Sequence, residues 1–216
     1  MNFSVFPQNI SSLIKNPSLI YCGLHNCTFI ASYQGQKVQI RIAKNNFVDW
    51  QNEENFIQND PNFLFYRKGN YIKKWIEGQI LDSENLDFYI KKLFTELSKF
   101  HQQENQKVTK FDWQINEIND EKYKKLVQKY QFDPQVICHN DLQFKNIIVS
   151  KTNLYFIDFE WVRYNNPYFD YVSLHLNLGI SADKIIEFFG LSAEKFSDFI
   201  YLYKIFTNFW NKKWYV

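Results

Sequence analysis

Arginine, alanine, glycine, proline and cysteine are all scarce in this 216-residue chain: three Arg, four Ala, six Gly, five Pro and three Cys. So few Gly and Pro exclude a collagen-like or linker-dominated protein. The three cysteines, Cys22, Cys27 and Cys138, are odd in number and lack zinc-ligand spacing, so reduced thiols in a cytosolic protein are expected. No apolar run approaches the roughly 18 residues that span a bilayer, and the start, MNFSVFPQNI, has no basic-then-apolar leader pattern. A soluble, cytoplasmic protein without membrane insertion is the expectation. Excess charge is missing too: 25 cations against 23 anions give +2, which argues against nucleic acid held by bulk electrostatics. What is abundant is aromatic, at 19%, within 45% hydrophobic residues, and such a chain can offset its ordering entropy. The 22 Lys, 23 Asn and 22 Phe look like AT-rich codon usage, so each of Arg41, Arg67 and Arg163 stands out.

The length allows one compact domain or two small lobes. Residues 19–80 read as mostly strand. Leu19–Tyr21 and Thr28–Tyr33 are apolar runs, Gln34-Gly35-Gln36 is a hairpin turn, and Val38, Ile40 and Ile42 alternate with Gln39 and Arg41. Phe47–Gln58 reads as a short helix, followed by Asn62–Tyr66, a turn at Arg67-Lys68-Gly69-Asn70 and the strand Tyr71–Ile76. After Gly78 the period becomes helical. Ser83 is the expected cap, ahead of Leu86, Ile90, Leu93, Leu97, Phe100 and His101 at helical steps. A second amphipathic stretch carries Ile115, Ile118, Tyr123, Leu126, Val127 and Tyr130. Short β runs surround residues 136–157, and the tail is helical, with Gly190 at a C-terminus and Ser192 capping a last helix to about Lys213. The pattern predicts an α+β, two-lobed protein: a small antiparallel-sheet lobe over residues 1–78 and a mostly helical lobe over 79–216, with a ligand cleft between them.

The chemistry sits in His139-Asn140-Asp141-Leu142-Gln143-Phe144-Lys145-Asn146, which fits the H-x-D-L-x-x-x-N catalytic-loop pattern at every specified position. Twelve residues past Asn146 comes Ile157-Asp158-Phe159-Glu160, an Asp-Phe pair ending an apolar run. Phosphoryl transfer needs one carboxylate, Asp141, to orient the attacking hydroxyl, and oxygen donors, Asn146 and Asp158, to hold Mg²⁺ against nucleotide phosphates.

Residues 137–178 closely resemble the choline/ethanolamine kinases within the aminoglycoside-phosphotransferase-like small-molecule kinases. The stretch is similar to their H-N-D-x-x-x-x-N and I-D-[FW]-E-[YW] motifs, with Asn166…Phe169-Asp170 resembling a downstream Asn followed by [FW]-D. Asn140 and Glu160 replace the Arg and Gly usual in protein kinases. The resemblance implies a protein-kinase-like fold, ATP and Mg²⁺ as cofactors, and a small-molecule substrate such as choline. It further implies that Arg41 reaches the nucleotide phosphates and pairs with Glu53 or Glu54, that Gly23 and Asn26 belong to the phosphate-covering loop, and that Glu77 lies at the hinge beside the nucleotide. Gln143, a catalytic candidate beside Asp141, is implied to orient phosphate, with His139 and Asp170 in support. Cation–π chemistry suits a quaternary ammonium, so Glu160, Trp161, Tyr203, Trp210 and Trp214 are the substrate-site candidates, although the last-helix aromatics fit core packing equally well.

Two departures bear on the acceptor: Asn177-Leu178 stand where choline kinases tend to carry a Glu, and Lys212 and Lys213 flank Trp214. Ethanolamine, thiamine and aminoglycosides are the alternative acceptors, and a pseudokinase-type interaction module is the alternative outside enzymes. Nothing in the pattern sets an oligomeric state.

Overall fold

A computed structural model of the chain describes residues 3–46, 48–151 and 153–214, the side chain of Trp214 excepted. The chain forms two compact units. One comprises Met1–Gly78 with Asp158–Trp161; the other comprises Gln79–Ile157 and Val162–Val216. Asp158–Trp161, assigned by sequence to the C-terminal portion, therefore packs with the first unit.

The first unit begins with a short helix α1 (Gln8–Ser11) and builds a five-stranded antiparallel sheet from β1 (Ile14–Cys22), β2 (Asn26–Tyr33), β3 (Gln36–Ala43), β4 (Phe63–Arg67) and β5 (Asn70–Lys74), in the order β1-β2-β3-β5-β4. One helix, α2 (Trp50–Ile57), is inserted after β3. It starts at Trp50 with Asp49 accepting the Asn52 N–H as its cap; the expected start at Phe47 lies outside the described residues. Both hairpin turns fall where the sequence places them. Gln34 and Gly35 (φ 50° and 76°) and Lys68 and Gly69 (φ 48° and 77°) supply the paired positive φ values that match strand twist. Gly69 has a second reason to lack a side chain: a Cβ there would lie 2.5 Å from the Trp50 ring. Phe29, Val38, Ile40 and Ile72 bury one face of the sheet, while β1 is an exposed edge containing Pro17 with an irregular register.

Cys22 and Cys27 face each other across the β1–β2 pair and are joined as a disulfide. This corrects the reduced-thiol expectation for these two, and the reason is register: antiparallel pairing around a four-residue loop sets the two side chains opposite one another. Cys138 is free and buried.

The second unit contains β6 (Gln79–Ile80), α3 (Leu86–His101), α4 (Glu121–Tyr130), β7 (Val136–Cys138), β8 (Ile147–Val149), β9 (Leu154–Phe156), β10 (Arg163–Asn165), α5 (Tyr168–Leu178), α6 (Ala182–Phe189) and α7 (Ala193–Trp214). Strands β6-β8-β9 form one small sheet and β10-β7 another. The α3 face predicted from periodicity is buried at Leu86, Leu93, Leu97, Phe100 and His101. Its entry differs: Asp82, not Ser83, accepts the N–H groups of Glu84 and Asn85 at 3.0 Å. The second amphipathic stretch is helical only from Glu121. Before it, Asp112 accepts the Gln114 N–H at 2.8 Å, Trp113 turns towards Phe169 and Phe199, and Asp120 caps α4. These local hydrogen bonds compete with helix formation. Gly190 ends α6 at φ 62°, and Ser192 caps α7. Among the described residues no helix is long and apolar enough to cross a membrane.

Candidate active site

The second unit positions the catalytic-loop motif. Strand β7 delivers the chain into His139-Asn140-Asp141, and a 3₁₀ turn at Phe144–Asn146 hands it to β8. Asp170, fully buried in the first turn of α5, holds the start of this loop. Its Oδ2 accepts the His139 N–H at 2.8 Å and its Oδ1 the Asn140 N–H at 2.9 Å. The His101 Nε2 lies 2.9 Å from the same Oδ2. Asn140 takes a positive φ of 63°, an uncommon conformation stabilised by its side chain. Its Oδ1 accepts from Asn165 Nδ2 at 2.8 Å, and its Nδ2 donates to Cys138 O at 3.2 Å.

His139 is enclosed and supports the loop from beneath. Its Nε2 sits 3.0 Å from Ile157 O, and its Nδ1 accepts the Asp141 N–H at 3.3 Å. That pair of contacts is met by the tautomer that carries a proton on Nε2. The roles expected of His139 and Asp170, supporting the loop and anchoring its backbone, are the ones the geometry shows. Asp141 itself is half-buried. Gln143 Nε2 donates to its Oδ1 at 2.7 Å, and Asn146 Nδ2 donates to its Oδ2 at 2.8 Å and to its backbone carbonyl at 2.8 Å. Asp141, Gln143 and Asn146 are thus one cluster, with the Asn146 amide oxygen left for another ligand.

In the first unit the centre is Arg41. It is 1% exposed and sandwiched between the rings of Trp50 and Tyr71, at 5.0 and 4.4 Å. Its Nε donates to Gly69 O at 3.0 Å, one terminal nitrogen donates to Asp158 Oδ1 at 3.1 Å, and the other pairs with Glu53. The choice left open by sequence, Glu53 or Glu54, falls on Glu53. Burial alone would lower the Arg41 pKa, but Glu53, Tyr71 and Asp158 outweigh it and hold the guanidinium charged. Burial pushes the Glu53 carboxyl up, against the pull of Arg41 and a 2.8 Å hydrogen bond from the Tyr66 hydroxyl. Asp158 also carries a positive φ, 65°.

The remaining candidates divide between the units. Asn26 Nδ2 donates to buried Glu160 at 3.3 Å, and the Trp161 ring sits edge-on to His25 at 6.0 Å. Both residues of the expected substrate site therefore pack on the β1–β2 loop. Gly23 belongs to that loop, where its N–H donates to Asn26 O at 2.8 Å and Lys44 Nζ reaches its carbonyl at 2.7 Å. Glu77 is exposed and pairs with Lys37 at 2.9 Å. Tyr203, expected at the substrate site, is buried, and its hydroxyl feels the charge of Asp141. Its ring packs 4.8 Å from Phe169, and its hydroxyl accepts from Asn177, which also donates to Leu142 O. The cause is helix phase, which turns Tyr203 towards α5. Trp210 is half-buried, stacked on Phe206 at 5.9 Å. The Trp214 side chain lies outside the described residues. Lys213 points to Glu117 at 2.9 Å, on the surface.

Sequence reasoning passed over Asn165 and Tyr66. Asn165 is fully buried and bridges Asn140, the Trp113 Nε1–H and the Asn166 N–H. In a chain with 23 Asn, nothing but its place beside Asn166 of the downstream motif could have marked it.

Fold and site together define a protein-kinase-like α+β protein, and solved structures share that fold. LicA in complex with AMP superposes with a TM-score of 0.69 at 18% identity, over 96% of this chain and 85% of that one. An ethanolamine kinase from Plasmodium vivax gives 0.67 at 15% identity, over 94% and 76%. An aminoglycoside phosphotransferase gives 0.64 at 11% identity, over 89% and 84%. The chain belongs to the choline/ethanolamine kinase family, whose model matches residues 72–198. An uncharacterised protein of Metamycoplasma hominis is 36% identical over 207 residues, 95% of this chain but 42% of that protein. One from Mycoplasma pneumoniae is 27% identical over 195 residues, 79% of this chain and 68% of that protein. The chain thus spans less than half the length of the M. hominis relative.

Proposed function

We propose that the chain is a small-molecule kinase that transfers the terminal phosphoryl group of ATP to the hydroxyl of choline. The observation that carries this reading is the Asp141 cluster. Gln143 and Asn146 each fix one carboxylate oxygen, and Asp170 clamps the backbone just ahead of it. A carboxylate oriented in this way accepts the proton of an attacking hydroxyl without having to reorganise. Arg41 has a different task in this scheme from direct reach to phosphate: it orients Asp158 and balances its charge. Asn146 and Asp158 offer one amide and one carboxylate oxygen, hard donors of the kind Mg²⁺ prefers, and they would hold the ion. The metal would supply charge neutralisation at the phosphates. Nucleotide as the donor is supported by the AMP found in LicA.

Choline as the acceptor is supported by family membership and by the half-buried Trp210 on the α7 aromatic stripe, since a trimethylammonium group is recognised by aromatic faces. Ethanolamine carries an ammonium that hydrogen-bonds, and it would depend less on such rings.

The test is ATP consumption with choline, ethanolamine, thiamine and kanamycin, on the wild type and Asp141→Asn. Choline should give the highest kcat/KM, and Asp141→Asn should lower kcat by about 10²–10⁴-fold, the usual worth of a positioned base. Nucleotide affinity should stay unchanged. No turnover with any acceptor, alongside intact nucleotide binding, would identify a pseudokinase module instead.

A further inference from the structure

The first unit buries a cation that none of the interactions described so far uses. Lys73 lies on β5, paired with Gln39 of β3 and Phe63 of β4, and is 4% exposed. Among the described residues its ammonium makes no hydrogen bond and no ion pair, and Nζ is not among the fully enclosed unpartnered atoms, so the tip keeps some contact with solvent. Its neighbours are two rings, Phe63 at 4.7 Å and Phe159 at 5.6 Å. An ammonium brings three donors and no acceptor, and stripping most of its water without giving it a partner is costly. Cation–π contact recovers only part of that cost. A branched aliphatic residue would fill the strand at no such penalty, as Ile40 and Ile72 do in the same sheet. Positions where a chain accepts an avoidable cost are where function is to be sought.

The surroundings say what kind of function. Phe159 follows Asp158 directly, and Lys73 feels the charges of Glu53, Arg41 and Asp158. Burial pushes its pKa down to about 8, with Asp60 and Glu53 opposing, so it remains a cation at neutral pH. Arg41, by contrast, is committed to Gly69, Glu53 and Asp158 and is closed in between Trp50 and Tyr71. Of the two buried cations in this unit, Lys73 is the one with donors to give. From Lys73 the chain runs through Lys74 into the segment Trp75–Gly78.

We propose that Lys73 is a nucleotide-contacting residue, held without a protein partner so that a hydrogen-bond acceptor of the bound nucleotide completes it. The acceptor chemistry is shared by phosphate oxygens and by the N7 and O6 edge of a purine. On that edge guanine offers two acceptors, whereas adenine offers one beside a clashing amino donor. The inference rests on the kinase reading above.

Calorimetric titration of ATP, ADP, adenosine and GTP into the wild type and Lys73→Met tests it. The variant should bind ATP at least tenfold more weakly, yet its unliganded melting temperature should hold or rise, because an unpaired buried charge has been removed. A purely structural lysine would do the reverse: lower the melting temperature and leave the Kd alone. Weakening that extends to adenosine places the contact on the base, and a GTP preference lost in Lys73→Met supports the same placement. Weakening confined to ATP and ADP places it on the phosphates. Equal ATP affinity in the two proteins overturns the proposal. A wild type that binds no nucleotide sinks the kinase reading itself, which is a different result. If Lys73→Met fails to fold, ¹⁵N-lysine NMR of the wild type decides. The Lys73 ammonium resonance must shift on adding ADP, and an unmoved resonance overturns the proposal.

Discussion

Around the catalytic loop a single carboxylate, Asp170, collects two backbone N–H groups and an imidazole; around Arg41, two carboxylates converge on one guanidinium. Both arrangements are buried, and both hold an aspartate that the proposed reaction uses. They hold it by different physics. Asp170 spreads its charge over amide dipoles that the loop must orient anyway, so what it fixes is geometry. The Arg41 cluster sets full charges against one another, Arg41 and Glu53 buried and Asp158 partly exposed, so what it fixes is electrostatic balance. The first should tolerate a change of charge better than a loss of acceptors. The second should tolerate loss of the whole cluster better than loss of one member.

The largest effect expected is on the ion cluster. Glu53→Gln leaves Arg41 with a single carboxylate and should lower unfolding free energy by about 3–5 kcal/mol, as for other broken buried pairs. Urea denaturation reads it, and Arg41→Met/Glu53→Leu should recover a good part of the loss. A cost near zero for Glu53→Gln would remove the distinction between the two networks. Next in size is a pH effect at Lys73. Burial lowers its pKa from 10.5 to about 8, so between those values the unfolded chain holds more protons than the folded one. The stability owed to this residue therefore rises with pH across that window, by roughly 3 kcal/mol for such a shift. The difference between wild type and Lys73→Met, from denaturation at pH 7.5 and 10.5, isolates it; a flat difference would mean that the lysine is hydrated. Smallest is Asp170→Asn, which turns one acceptor into a donor facing an N–H. A loss of about 2 kcal/mol fits one charge-assisted hydrogen bond, with kcat falling and nucleotide affinity unchanged. Equal losses in kcat and nucleotide affinity would show that Asp170 is not confined to the catalytic loop.

The motif residues were legible because the proposed phosphoryl transfer demands particular side chains at fixed spacing, and local hydrogen bonds join those side chains at that spacing. Asn146 stands five residues from Asp141, where it can reach both the carboxylate and the carbonyl of that residue. Periodicity also gave the α3 face and both hairpin turns. It failed where one residue's direction depended on partners distant in the chain. Glu53 and Glu54 are adjacent on one helix, and only the position of Arg41, twelve residues earlier, selects between them. Tyr203 shares a helical stripe with Trp210, but α5 buries one and leaves the other half-exposed. The stretch before α4 has an apolar period yet is held by Asx-type contacts at Asp112 and Asp120. Cys22 and Cys27 looked unremarkable until the register of β1 and β2 placed them opposite each other.

The excursion of four residues, Asp158–Trp161, into the first unit bears on the order of events during synthesis. When residue 78 leaves the ribosome, the five strands and α2 are all present, but Arg41 has one carboxylate instead of two, Phe56 lacks the Phe159 ring, and Asn26 lacks Glu160. Those pieces arrive some 80 residues later, a delay of several seconds at typical elongation rates. The amino-terminal sheet therefore emerges without these three contacts. Those pieces follow the catalytic loop in sequence, so the chain completes its first unit only after the His139–Asn146 motif has been made.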